Sequence, residues 1–376
     1  MTNEVATVGK ETTKQEYNES EYPIPVFTSM GMFIIDEIHW PDQNKSLYNV
    51  LGGGGTFATF GARLVLGPEK SRQTAWIVDI GNDCPPEISD ELLNKWNTGV
   101  VVRYDNSRKC TRGRNVYGAN DFRSFNYMTQ KLRIDIPDLL KYEHMLRSKS
   151  YHLICSPERC TEVLNNLKPL RLQKGDSDPV VVWEPIPDDC NPEHLGRCVK
   201  ILDQVDVLSP NAAECAAFFN EKEPTNKENC ERIGSKFLQY MTKNEHSGIV
   251  LRCGSLGCLC ITKKGKKWFP AYHSDPKAAD YKVIDPTGCG NSFVGAFAAA
   301  YVLSGFNFDL GCVFGTLASG LCIQLHGVPK VERHGDDDEL WNGVSLEELL
   351  NRYLERNSAL GIANDHIIDT LRNFDY

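Results

Sequence analysis

The chain predicts an α/β fold: a largely parallel sheet covered by helices on both faces, with a small β lid over one end. Three observations carry that reading. Short runs rich in Val and Ile alternate with helix-length segments from about residue 24 to residue 220. A polar, aromatic stretch then interrupts the alternation without any helical period. Later, a turn of small residues, Asp285-Pro286-Thr287-Gly288-Cys289-Gly290-Asn291-Ser292-Phe293, runs directly into an apolar helical segment.

In order along the chain, residues 1–22 are polar, lack a hydrophobic period and read as a flexible tail, leaving 23–376 as one α/β domain. An apolar strand is expected over 26–38, a helix over 56–66, a strand over 75–80, a helix over 88–96 and a strand over 100–104. The stretch 105–129, with Gly113, Gly118 and several Arg and Tyr, is expected as hairpin material, so lid strands fall at about 36–51 and 99–130. Strands at 151–155, 180–183 and 205–208 alternate with helices at 158–167, 192–202 and 212–220. Short runs at 249–253, 258–262 and 267–270 suggest an antiparallel meander, the basic run Lys263, Lys264, Lys266 and Lys267 flanking a solvated turn. The last third turns helical at 291–304, 310–325 and 346–356, where Ser345 and Glu348 have the spacing of a capping box. Residues 331–343, with three consecutive aspartates, read as an exposed loop.

Hydrophobic residues make up 41% of the 376-residue chain and charged residues 24%, which provides for a sizeable core. With 50 acidic against 41 basic side chains the net charge is −9, which argues against direct nucleic-acid binding, because that needs a basic face to displace phosphate counterions. The longest small-apolar stretch, 293–303, falls short of the roughly 20 residues of a membrane span. The 14 cysteines are scattered through predicted strands and helices, with no C-x-x-C pair and no signal peptide. They indicate a reducing compartment, the cytoplasm with the nucleus also open, and neither a disulfide framework nor a zinc site.

Five segments carry chemistry. The turn at 285–293 offers the backbone amides of Gly288, Cys289 and Gly290 at a helix N-terminus, where aligned peptide dipoles favour negative charge. The same residues would also serve as a plain turn and N-cap. Asp36 closes the apolar run 31–38 where open α/β sheets place ligands, or else simply caps a strand. The run Gly52-Gly53-Gly54-Gly55-Thr56 lacks both the Lys-Ser/Thr of a P-loop and the G-x-G-x-x-G of a dinucleotide site. Asn211 and Glu214 sit at a strand-to-helix turn and can face one pocket, as suits a hydrated magnesium ion, or form an N-cap with a first-turn Glu. Arg252-Cys253-Gly254-Ser255-Leu256-Gly257 joins two strands, and its glycines allow close backbone approach.

These segments, with Ala318-Ser319-Gly320 before Gly327-Val328-Pro329, resemble in order the signatures of the PfkB/ribokinase family of small-molecule kinases. The resemblance implies a ribokinase-like three-layer αβα sandwich with a small β lid, which binds ATP with Mg²⁺ and a small hydroxylated acceptor. It implies an anion hole at Gly288, Cys289 and Gly290, and acceptor contacts at Asp36, Gly52, Gly53, Thr56 and Asp285. Asn211, Arg252, Gly254, Ser255, Gly257 and Ser319 would face the nucleotide, and Glu214 would hold magnesium through water. Family members often pair as homodimers through the lid.

Two departures matter. The family's catalytic Asp, which deprotonates the acceptor hydroxyl, is matched here by Asn291, an amide that does not titrate, and the Asn usual near Thr56 is absent. The implied activity is therefore a weak or impaired ATP:alcohol phosphotransferase. The alternatives are a non-catalytic pseudokinase scaffold, or an active sugar or nucleoside kinase with another base, for which His39, His273 and His326 qualify by type. Gly55-Thr56-Phe57-Ala58 together with Gly290-Asn291-Ser292-Phe293 most resembles a divergent fungal branch named for maintenance of the killer virus, which implies a role in stabilising double-stranded RNA virus particles or in a host process behind it.

Overall fold

The computed structural model describes residues 18–118, 123–333 and 339–374. The tail reading for 1–17 and the acidic run Asp336 to Asp338 lie outside these residues. Within the expected tail, Glu19–Glu21 forms a 3-10 turn capped by the Asn18 side chain, and the Tyr22 hydroxyl donates to the Val100 carbonyl at 3.5 Å.

Nine strands form the main sheet. Its order is Gly265–Phe269, Cys258–Thr262, Gly248–Arg252, Val207–Leu208, Val180–Pro185, Ser150–Cys155, Phe27–Ser29, Thr74–Gly81 and Gly99–Asp105. From Gly248–Arg252 onward all neighbours are parallel, and only the pairings of Cys258–Thr262 with its two neighbours are antiparallel. Strands such as Thr74–Gly81 and Val180–Pro185 are buried almost throughout, which is why they read as continuous apolar runs without alternation.

Helices cover both faces. One layer contains Gly54–Leu66, Cys289–Leu303, Phe308–Cys322 and Leu346–Arg356, packed through Phe60, Phe297, Phe314 and Tyr353. The other contains Pro157–Gln173, Pro192–Ile201, Ala212–Ala217 and Lys227–Ser235, packed through Leu164, Cys198, Cys215 and Ile233. All 14 cysteines are free thiols, and most serve as small buried hydrophobes in these layers.

One crossing positions the site. A Cβ on Gly295 would lie 1.9 Å from the Ala58 carbonyl oxygen, and one on Gly61 would lie 2.1 Å from that of Ser292. Glycine at these two places lets Gly54–Leu66 and Cys289–Leu303 touch backbone to backbone, which brings their N-terminal turns side by side.

The expected strand at 26–38 is two strands. Phe27–Ser29 belongs to the main sheet, whereas Ile34–Trp40 crosses into a four-stranded lid ordered Lys45–Gly52, Ile34–Trp40, Arg112–Tyr117, Arg123–Tyr127. The break falls at Gly31, where any side chain would strike the backbone of Gly55 at 2.5 Å. Within the expected loop at 331–343, Val331–Arg333 instead pairs with Glu339–Trp341, Val331 opposite Trp341. Trp341 is buried against Phe60 and Trp96, and Glu339 forms an ion pair with the fully buried Arg63. That burial outweighs the polar character of the segment.

Candidate functional site

The site grows from the first turn of Cys289–Leu303. Its N-cap, Gly288, has φ +80°, and no side chain caps the helix. Glycine is required there for a second reason, because a Cβ would sit 2.3 Å from the Phe57 ring. The sequence leaves the Cys289 amide open, but it donates to the Pro286 carbonyl at 3.2 Å. The next amides of the turn, at Gly290 and Asn291, have no intrahelical acceptor by helix geometry.

A cation lies over this turn. A Cβ on Gly290 would meet Arg252 Nη1 at 1.8 Å, so a side chain there would displace the guanidinium. Arg252 Nη2 donates to the Ser209 carbonyl at 3.0 Å and pairs with Glu184 at 2.8 Å and Glu214 at 3.4 Å. Its Nε is buried without a hydrogen-bond partner among the described residues. Helix amides, an arginine fork and an orphaned N–H together make a donor set that suits phosphate oxygens.

Glu184 is the hub beneath. Its Oε2 accepts from Asn291 Nδ2 at 2.7 Å and meets His152 Nε2 at 3.3 Å, and His152 Nδ1 lies 3.3 Å from the Ser29 hydroxyl. Burial pushes the Glu184 carboxyl up, but Arg252, then His152 and Asn291, outweigh it and hold it below the ordinary range. Glu214 behaves oppositely: burial pushes it up to about 7, with Arg252 opposing and Glu184 adding to the rise. The two differ because the shared cation sits closer to Glu184.

Asn211 and Glu214 form a reciprocal capping box, each side chain accepting the other's backbone N–H at 2.8 Å. Among the described residues no group of three or more His, Cys, Asp or Glu is arranged to hold a metal ion. A magnesium ion at Glu214 would therefore be held mainly by water and phosphate, as its hydration preference allows.

The other side of the turn meets the lid. Asp285 is buried, and its Oδ1 accepts from the Tyr117 hydroxyl at 2.8 Å and the Thr287 amide at 2.9 Å, while its Oδ2 lies 2.8 Å from His326 Nδ1. Burial raises this carboxyl, but the hydrogen bonds from Thr287 and His326 outweigh it and keep it low. Trp40 stacks on Tyr117 and packs edge-on against His326, which completes a clasp between lid and turn.

A sequence model described as pfkB family carbohydrate kinase matches residues 32–331. The chain belongs to that family. Protein MAK32 of Saccharomyces cerevisiae is 37% identical over 350 residues, covering 89% of this chain and 93% of that protein. Among solved structures, ribokinase from Giardia lamblia superimposes with a TM-score of 0.60 at 14% identity, over 81% of this chain and 95% of that one. Ribokinase from Arabidopsis thaliana, complexed with ribose and ATP, gives 0.55 at 18% identity over the same shares, 81% and 95%. The fold is thus the ribokinase-like α/β fold of the pfkB kinases.

In this family member the structure gathers some expected site residues and separates others. Asn291, Gly290, Arg252, Glu214 and Asn211 form one cluster, and Gly54 touches it, since its Cβ would lie 3.5 Å from the Asn291 carboxamide. Asp36 lies on the lid and not at the end of a main-sheet strand, cradled by Gly52 and Gly113, where side chains would approach its carboxylate to 2.1 and 2.6 Å. Gly53, at φ +95°, turns the chain from lid to helix. Thr56 is fully buried, its hydroxyl without a hydrogen-bond partner among the described residues. Gly254 and Ser255 stand exposed beyond Arg252, while a Cβ on Gly257 would strike the Phe269 carbonyl at 2.0 Å. The Ser319 hydroxyl bonds back to its own helix, and its carbonyl accepts from the Cys289 thiol at 3.6 Å. Of the histidines, His39 pairs with Glu37 and His273 with the Gly320 carbonyl, and only His326 among the three contacts Asp285 in the described residues.

Sequence reasoning missed Glu184, His152 and Tyr117. Glu184 had a signal, because it ends the apolar run 180–183 just as Asp36 follows its own. His152, inside a strand, and Tyr117, in an aromatic hairpin, had none.

Proposed function

We propose that this pfkB family member binds ATP with magnesium and a small polyol, and that it is a weak ATP:alcohol phosphotransferase. The observation that carries the reading is the Asn291 carboxamide, which donates to Glu184 at 2.7 Å at the position where a base would stand. An amide so engaged orients a hydroxyl but takes no proton. Bound ATP would supply the phosphoryl group, and the chain's own part is to place and neutralise it. The Gly290 and Asn291 amides and Arg252 face the phosphate side, while the Asp285 clasp and Asp36 face the acceptor side. Positioning and charge neutralisation provide most of phosphoryl-transfer catalysis, and a general base adds on the order of 10²–10⁴-fold.

The test compares the natural protein with Asn291→Asp in ATP·Mg²⁺ phosphotransfer to a panel of sugars, polyols and nucleosides. The variant should be faster by roughly 10²-fold. A natural protein that is already fast, with a slower variant, would sink the proposal. A thermal shift with millimolar ATP·Mg²⁺ tests binding separately, since a ligand of the folded state raises its stability by mass action. No shift would favour a scaffold of the virus-particle maintenance type. A second reading, an active kinase with another base, draws support from the 2.8 Å contact between His326 and Asp285, and His326→Gln should then abolish turnover.

A further inference from the structure

Between the lid and the ends of the main-sheet strands lies a cavity of about 330 Å³, within the range of small-ligand sites. It adjoins the base position. Ile154 forms part of its wall, and a Cβ on Gly54 would lie 3.3 Å from Ile154 and 3.5 Å from the Asn291 carboxamide. The backbone of Gly31 and Met32, at the crossing from sheet to lid, forms another part.

The cavity's charge runs against that of the chain. Four basic side chains, Lys131, Arg133, Arg159 and Arg197, and two carboxylates, Glu158 and Asp189, line it, an excess of two positive charges in a chain of net charge −9. Both carboxylates are engaged, Glu158 by Arg197 and Asp189 by His194 at 3.2 Å. Arg159 is engaged too, by Asp135 at 2.7 Å and the Ile134 carbonyl at 2.6 Å. Lys131 and Arg133 remain, exposed and without a carboxylate partner among the described residues. Lys131 lies 4.7 Å over the ring of Tyr127, which also lines the cavity. Two exposed cations lining a concave site, beside an apolar wall, favour a ligand with a polar body and an anionic end.

We infer that the acceptor of this protein carries an anionic group, a phosphate ester or a carboxylate, and that Lys131 and Arg133 bind that group in this cavity. The inference deepens the proposed function and rests on it for the acceptor side alone. It distinguishes this site from one built for an uncharged sugar, whose binding would gain nothing from the two cations.

The experiment is calorimetric titration of the full chain without nucleotide, using D-glucose, D-glucose 6-phosphate, D-gluconate, D-ribose and D-ribose 5-phosphate. An anionic member of the panel should bind at least 10-fold tighter than its neutral parent. The advantage should shrink at higher salt, vanish in Lys131→Ala/Arg133→Ala and largely persist in Lys131→Arg/Arg133→Lys. Tight gluconate binding would identify a carboxylate, and tight binding of phosphate esters alone a phosphate. Equal affinity for neutral and anionic partners, no binding by any anionic member, or an advantage that survives in the double alanine variant would overturn the inference. Both residues are exposed, so the variants should keep the wild-type Tm. Because no nucleotide is present, failure of the ATP·Mg²⁺ thermal shift leaves this result standing, and the reverse also holds.

Discussion

Replacing Asn291 by Asp would put a second carboxyl where an amide now donates to Glu184 at 2.7 Å. Two unit charges at that distance repel by about 6 kcal/mol at an effective dielectric constant of about 20. Arg252 and His152 already offset part of the Glu184 charge, so a net penalty of about 3 kcal/mol, or roughly 2 pKa units, is a fair expectation. The pair would then share a proton, and its second dissociation would be raised above the unfolded value near 4 to about 6. A folded pKa that is raised gives stability that is present below the unfolded pKa and lost as pH climbs through the folded one. Urea unfolding at pH 5 and pH 8 should therefore show Asn291→Asp about 1.4 kcal/mol weaker than wild type at pH 5, midway between the two pKa values, and about 3 kcal/mol weaker at pH 8. In a Glu184→Gln background that pH-dependent difference should disappear. An equal loss at both pH values, or a difference that persists without Glu184, would refute the shared-proton reasoning.

Other outcomes follow from the same geometry. Gly295→Ala must push a methyl to within 1.9 Å of the Ala58 carbonyl, so it should cost about 3 kcal/mol or more, whereas Gly196→Ala, facing open space on a helix, should be neutral or stabilising by up to about 1 kcal/mol; denaturant midpoints separate them. Glu214, raised from 4.5 to about 7 by burial, should make wild-type stability fall as pH rises across that window by ~3 kcal/mol, and Glu214→Gln should flatten that slope in unfolding measured at pH 5 and pH 8. His144, lowered from 6.5 to about 4 by burial, contributes in the opposite sense: its share of stability is present above 6.5 and lost as pH falls towards 4, so His144→Phe should unfold at lower pH in an acid titration followed by circular dichroism.

Much of the fold was legible because the parallel strands are buried on both faces. Runs such as 75–80 and 180–183 stand out against helical periods without any knowledge of their partners. What failed were places where a distant contact decided the local structure. The strand expected over 26–38 divides because Gly31 meets Gly55, a contact no local pattern encodes. Residues 331–343 look like loop by composition, but Glu339 answers a buried Arg63 and Trp341 fills a gap beside Trp96. Within the site, the glycine turns announced themselves through conformational rarity. His152 and Tyr117 are ordinary strand and hairpin residues until the chain folds, and only topology sets them against Glu184 and Asp285.

The bond from Tyr117 to Asp285 makes one lid residue a reporter on the turn that opens Cys289–Leu303. Any swing of the lid away from that turn must first release that hydroxyl, and with it the edge-on contact of Trp40 with His326. Under the proposed function, entry of the acceptor is thus geared to the turn that would receive the phosphates. The indole of Trp40, half-buried between Tyr117 and Lys45, is a built-in optical gauge of that movement.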